Sequence, residues 1–86
     1  MEEKEEIKAD INKGLNLLKK YPIEKGVAQH EIHIYDEYLS GIKEKYKSNK
    51  NYKKSGLAEI FYEREDLEIT QPVENTQRAI ECLKNL

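Results

Sequence analysis

The chain is poor in several residue types, and each shortage excludes something. Its 86 residues include no tryptophan, one cysteine, one methionine, two prolines and four glycines. With Cys82 as the sole cysteine, neither an internal disulfide nor a four-cysteine zinc site can form. The glycines are scattered singly, so there is no phosphate-cradling loop, and no serine or threonine sits in a nucleophile motif. No apolar run approaches the roughly 20 residues that cross a bilayer. The start, Met1-Glu2-Glu3-Lys4-Glu5-Glu6, carries the opposite charge to a secretory leader. A cytoplasmic protein without a membrane partner is expected. Leu, Ile, Val and Phe together make up about 23% of the chain, just above the range in which disorder prevails.

What is present is charge. Charged residues form 37% of the sequence and the apolar set another 37%, with a net charge of −2. Two independent cores would each fall below the length at which chains fold unaided, so residues 1–86 read as one small helical domain. Near-neutral overall charge gives no global attraction to DNA or anionic lipid. A core this small makes a bound partner or self-association a natural source of extra stability.

Periodicity supplies the architecture. Ile7, Ile11, Leu15 and Leu18 share one helical face, acidic residues crowd the first turns, Lys19 and Lys20 close the segment, and Pro22 stops it. Gly14 stands out as the weak point of that helix. From Val27 to about Lys47, the residues Ala28, Ile32, Tyr35, Leu39, Ile42 and Tyr46 follow alternating spacings of four and three, a heptad-like seam. On its other side Ile34 and Gly41 suggest a second contact face, where a helix or a second copy of the chain would approach closely. Ser48 to Asn51 reads as an exposed loop. Ser55 then caps a helix carrying Leu57, Ile60, Phe61 and Arg64, and Pro72 opens a last helix with Val73, Thr76, Ile80 and Leu83 as its stripe. The expected fold is all-α, a small antiparallel bundle of three to four helices. The alternative is α+β, with a hairpin near residues 59–70.

Three constellations bear on function. His30, His33 and Glu37 project within about 60° of one another on the second helix. They form a weak candidate metal set: no fourth ligand is indicated, and a solvated helix face is the favoured explanation. Lys43, Lys45, Lys47, Lys50, Lys53 and Lys54 give residues 43–54 a balance of +5 against Glu44, interleaved with Tyr46 and Tyr52. That composition suits weak, salt-sensitive binding of single-stranded nucleic acid. The patch has no arginine and no recognition motif, so nucleic acid is the less favoured partner. Residues 59–74 reverse the sign, with Glu59, Glu63, Glu65, Asp66, Glu68 and Glu74 against Arg64.

Tyrosines at the margins of helical stripes, Tyr38 and Tyr62, adjoin this acidic run, an arrangement suited to a protein-binding surface. No base is placed to activate Cys82, and no catalytic constellation or cofactor is indicated. The expectation is therefore a non-enzymatic interaction protein: an inhibitor, immunity-type, adaptor or regulatory chain. Its expected contacts are Tyr38, Glu59, Tyr62, Glu63, Glu65, Asp66 and Glu68. The partner is another protein, and a homodimer through Ile34 and Gly41 is a further expectation.

Overall fold

The structure is a computed structural model that describes residues 3–22, 27–61 and 72–86. Every element among them is helical: α1 (Glu3–Lys20), α2 (Gln29–Tyr46), α3 (Tyr52–Ser55), α4 (57–61) and α5 (Pro72–Leu83). The fold is an all-α bundle and the hairpin alternative is not favoured. Residues 59–61 belong to α4, while the remainder of the proposed hairpin, 62–70, lies outside the described residues.

Helix α1 follows its charge pattern, with Glu3, Glu5 and Glu6 in the first turn and Lys19 and Lys20 in the last, each opposing the nearer dipole end. It ends two residues before Pro22. Helix α2 begins two residues later than its seam suggested. The Glu31 carboxylate accepts the Ala28 N–H at 3.1 Å, half of a capping box whose reciprocal half an alanine cannot supply. Ala28 is thus an exposed position just outside the helix rather than the first seam residue.

The α2 seam itself forms the centre of the core. Tyr35 and Leu39 are fully buried, Ile42 and Tyr46 nearly so, and they meet Leu57, Ile60, Phe61, Ala79, Ile80 and Leu83. All four stripe residues expected on α5 are buried. Asn75 Nδ2 and Thr76 Oγ1, also on α5, are buried without a hydrogen-bond partner among the described residues.

Between α3 and α4 the chain turns at Gly56, whose φ of 89° is a left-handed conformation that side chains resist. Ser55 stabilises the turn from both directions: its Oγ accepts the Leu57 N–H at 3.2 Å and donates to the Tyr52 carbonyl at 2.7 Å. The Ser48–Asn51 connection is held by Asn49, whose side-chain oxygen accepts the Asn51 N–H at 2.8 Å.

One reading of the glycines is reversed. Gly14 is buried, and a Cβ there would lie 2.5 Å from the Tyr38 hydroxyl and 2.8 Å from Ile80 Cδ1. It is the closest approach of three helices, not a weak point. Gly41 is exposed, and a Cβ there would meet nothing within 4 Å among the described residues, so no described helix packs on it. The contact at Gly14 also turns α1 slightly. Its inward residues become Ile7, Ile11, Gly14, Leu17 and Leu18, while Leu15, expected in the core, is 43% exposed.

Candidate protein-interaction surface

The inner edge of α1 is fastened by α2 tyrosines. Tyr35 shares its hydroxyl proton between the carbonyls of Leu17 (2.8 Å), which also accepts the Tyr21 N–H, and Tyr21 (2.7 Å), just past the end of α1. Its ring meets Tyr21 edge-on at 6.0 Å. Seven residues further back on α1, Tyr38 donates to the Asp10 carbonyl at 2.9 Å. Tyr46 donates to Asp10 Oδ2 at 2.5 Å, and Lys45 Nζ lies 2.8 Å from the same oxygen. Contacts that step backwards along α1 as α2 advances show the two helices to be antiparallel. Asp10 thereby serves α2 through both its backbone and its carboxylate.

Burial and these contacts hold the groups in their bonded protonation states. Burial, with smaller contributions from Tyr21 and Glu31, pushes the Tyr35 hydroxyl up to about 12. Burial also raises Tyr38, with the Asp10 charge adding to it. Tyr46 is raised by burial and then by its hydrogen bond to Asp10. The Asp10 hydrogen bond raises Lys45.

The outer edge of α1 is different. A groove of about 440 Å³ runs between α1 and the end of the chain, lined by Ile7, Ile11, Leu83 and Leu86 with Glu3, Lys4, Lys8 and Lys84 around them. Antiparallel docking of α1 on α5 makes it: Gly14 meets Ile80, so the start of α1 falls beside residues 83–86. Leu83 is buried, Ile7, Ile11 and Leu86 are half-buried, and the three lysines are exposed. Leu15 stands four residues beyond Ile11, so the apolar strip continues up α1 past the groove. The Glu3 carboxylate accepts a hydrogen bond from the Asn49 side-chain amide.

A second, more polar cleft of about 220 Å³ lies between α1 and α2, lined by Asp10, Lys13, Glu37, Tyr38, Gly41, Ile42 and Lys45.

The residues singled out from the sequence are distributed unevenly. Tyr38 is in the core at 5% exposure, its hydroxyl spent on Asp10, so it is not part of an open surface. The reason is angular: Tyr38 precedes Ile42 by one helical turn and widens the α2 seam inward. Glu59 is exposed, and Tyr62, Glu63, Glu65, Asp66 and Glu68 lie outside the described residues.

In the basic segment, Lys45 is committed to Asp10, and Lys47 pairs with Glu44 at 3.1 Å. Lys50, Lys53 and Lys54 are exposed and Lys43 is half-buried. Tyr46 is buried, and Tyr52 packs against the core, with burial raising its hydroxyl. Neither aromatic in this segment offers a free face for stacking on a base.

His33 and Glu37 are exposed on α2, whereas the His30 side chain lies outside what is described. Among the described residues no three His, Cys, Asp or Glu side chains come together as a metal site would require. Cys82 is half-buried, 3.5 Å from where a Cβ on Gly56 would be, and burial raises its thiol away from the reactive form. No helix among the described residues is long and apolar enough to cross a membrane.

Neither the groove nor Asp10 figured in the sequence reading. The available signal was Gly14 itself: counted with Ile7, Ile11 and Leu18 it completes a four-three-four spacing, leaving Leu15 outside the stripe. No protein family model, curated protein or solved structure matches the chain.

Proposed function

We propose that the chain is a non-enzymatic protein-interaction module, of the inhibitor, adaptor or regulatory kind, and that it meets its partner along the outer edge of α1. The observation that carries this reading is the strip Ile7, Ile11 and Leu15, the first two half-buried and the third exposed, which the described residues leave partly open and which faces the half-buried Leu86 across the groove. Leu15 is the one large hydrophobic exposed among the described residues. A connected apolar strip edged by charge is the usual mark of an association surface. The polar groups with the most unusual environments, Tyr35, Tyr38, Tyr46 and Asp10, are occupied in holding α1 on α2, which assigns them to architecture.

The test compares the wild-type chain with Leu15→Glu as baits in extracts of the source cell. Leu15 is exposed, so the variant should melt as the wild type does. The expected result is a defined partner retained by the wild type and lost by about tenfold or more from the variant, the size of effect a buried interface anchor produces. Equal retention by both baits would overturn the placement of the surface.

A further inference from the structure

We infer that the occupant of the α1 groove is an amphipathic helix of a partner protein, with an apolar stripe flanked by Asp and Glu. This rests on the reading of the outer α1 edge as a docking surface and adds the chemistry of what docks.

Charge is the first argument. The groove's apolar floor of Ile7, Ile11, Leu83 and Leu86 is edged by Lys4, Lys8 and Lys84. Among the described residues its one acidic lining residue, Glu3, accepts from the Asn49 amide. Lys4 and Lys8 stand one helical turn apart on the α1 wall, and Lys84 faces them from the opposite wall. An occupant with carboxylates along its flanks would meet cations from both sides. The same face does not complement itself, because a second copy docked on it would set these lysines against lysines.

Backbone chemistry is the second argument. The groove walls are α1, α5 and the residues that follow α5, and no described residue forms a strand, so an extended peptide would find no strand edge to pair with there. A helical occupant satisfies its own backbone and needs only an apolar stripe. From Lys4 to Leu15 the strip measures about 17 Å, enough for roughly 12 residues of helix at 1.5 Å each. The groove's volume of about 440 Å³ accommodates its anchoring side chains.

The experiment titrates the isotope-labelled full chain with two synthetic helical peptides carrying the same leucine stripe. One has glutamates on its flanks and the other lysines. The expected result is that the glutamate peptide shifts the amides of residues 4–15 and 83–86, binds about tenfold more tightly than the lysine peptide, and weakens as salt rises. The double variant Lys8→Glu, Lys84→Glu, whose changes are both at exposed sites, should reverse the ranking.

Equal binding of the two peptides, a preference for lysine, or shifts confined to other residues would overturn the inference. So would dilution of the free chain producing the same amide shifts, which would make a second copy the occupant. Decanoate binding there more tightly than the glutamate peptide would likewise overturn it, in favour of a lipid. If either peptide binds and Leu15→Glu abolishes that binding without the charge ranking, the interaction surface stands and only its partner chemistry falls. If neither peptide binds and the cell extracts yield no Leu15-dependent partner, both fall.

Discussion

Tyr38 lies directly over Gly14. Its hydroxyl reaches the Asp10 carbonyl at 2.9 Å, across the position where any side chain on residue 14 would have to stand, only 2.5 Å from that hydroxyl. Helix α1 can therefore sit this close to α2 only with glycine there, and this contact sets its rotation. That rotation places Leu17 and Leu18 toward the core and leaves Leu15 outside. The interaction surface is in this sense a consequence of one missing side chain.

Replacing the two mid-helix glycines should give opposite signs. Gly41→Ala adds a Cβ in open space and should stabilise the fold by about 0.5–1 kcal/mol, the ordinary helix-propensity gain. Gly14→Ala carries the same gain but collides with Tyr38 and Ile80, and should destabilise by about 1–3 kcal/mol. Urea denaturation of both variants checks this, with equal effects as the contrary result.

The Tyr46–Asp10 contact should behave as a coupled pair. Tyr46→Phe removes the donor and should cost about 1–2 kcal/mol, as for a hydrogen bond to a charged acceptor. Asp10→Ala should cost more, because it strands the Tyr46 hydroxyl and also releases Lys45. In a double-mutant cycle the coupling energy should be about 1 kcal/mol, and additivity of the two changes would show the bond to be idle.

Stability should decline in alkali. Tyr35, Tyr38 and Tyr46 all hold their protons to higher pH when folded than an unfolded tyrosine, with Tyr35 near 12. Between about pH 10 and the folded values the unfolded chain binds fewer protons than the native one, so unfolding becomes easier as pH rises. The contribution is fully present below pH 10, and Lys45, also raised, acts in the same direction. Urea midpoints should be level from pH 7 to about 8, ease down slightly above that because the raised Cys82 thiol loses its proton first in the unfolded chain, and fall more steeply above about 10. Tyrosinate absorbance should show Tyr35, Tyr38 and Tyr46 ionising only as the fold is lost.

Thr76→Val should be neutral or stabilising by up to about 1 kcal/mol, because the wild-type hydroxyl is fully buried with no partner among the described residues. Thermal melts test this directly. A clear loss of stability would mean that the hydroxyl has a partner.

Much of the fold was legible in the sequence because its strongest periodicities coincide with its most buried faces. Tyr35, Leu39, Ile42 and Tyr46 on α2, and Val73, Thr76, Ile80 and Leu83 on α5, lie where their spacing puts them. Pro22 and Ser55 mark real boundaries for local reasons of backbone geometry and capping. The errors share a cause. Gly14 carries no hydrophobicity, so a pattern of apolar residues passes over it and assigns Leu15 in its place. Tyr38 looked marginal because its hydroxyl is polar, yet that hydroxyl finds a backbone acceptor 28 residues away. The groove was not legible at all. Lys4 and Lys8 belong to one end of the chain and Lys84 to the other, and only antiparallel packing of α1 on α5 brings them to one rim.

The most direct test of the account is a side-chain nuclear Overhauser spectrum of the folded chain in solution. It should show contacts from the Tyr38 ring to the Gly14 α-protons and to the Ile80 methyls, and none from the Leu15 methyls to the rings of Tyr35, Tyr38 or Tyr46. Strong Leu15 contacts to those rings, with Tyr38 facing water, would contradict it and close the proposed surface.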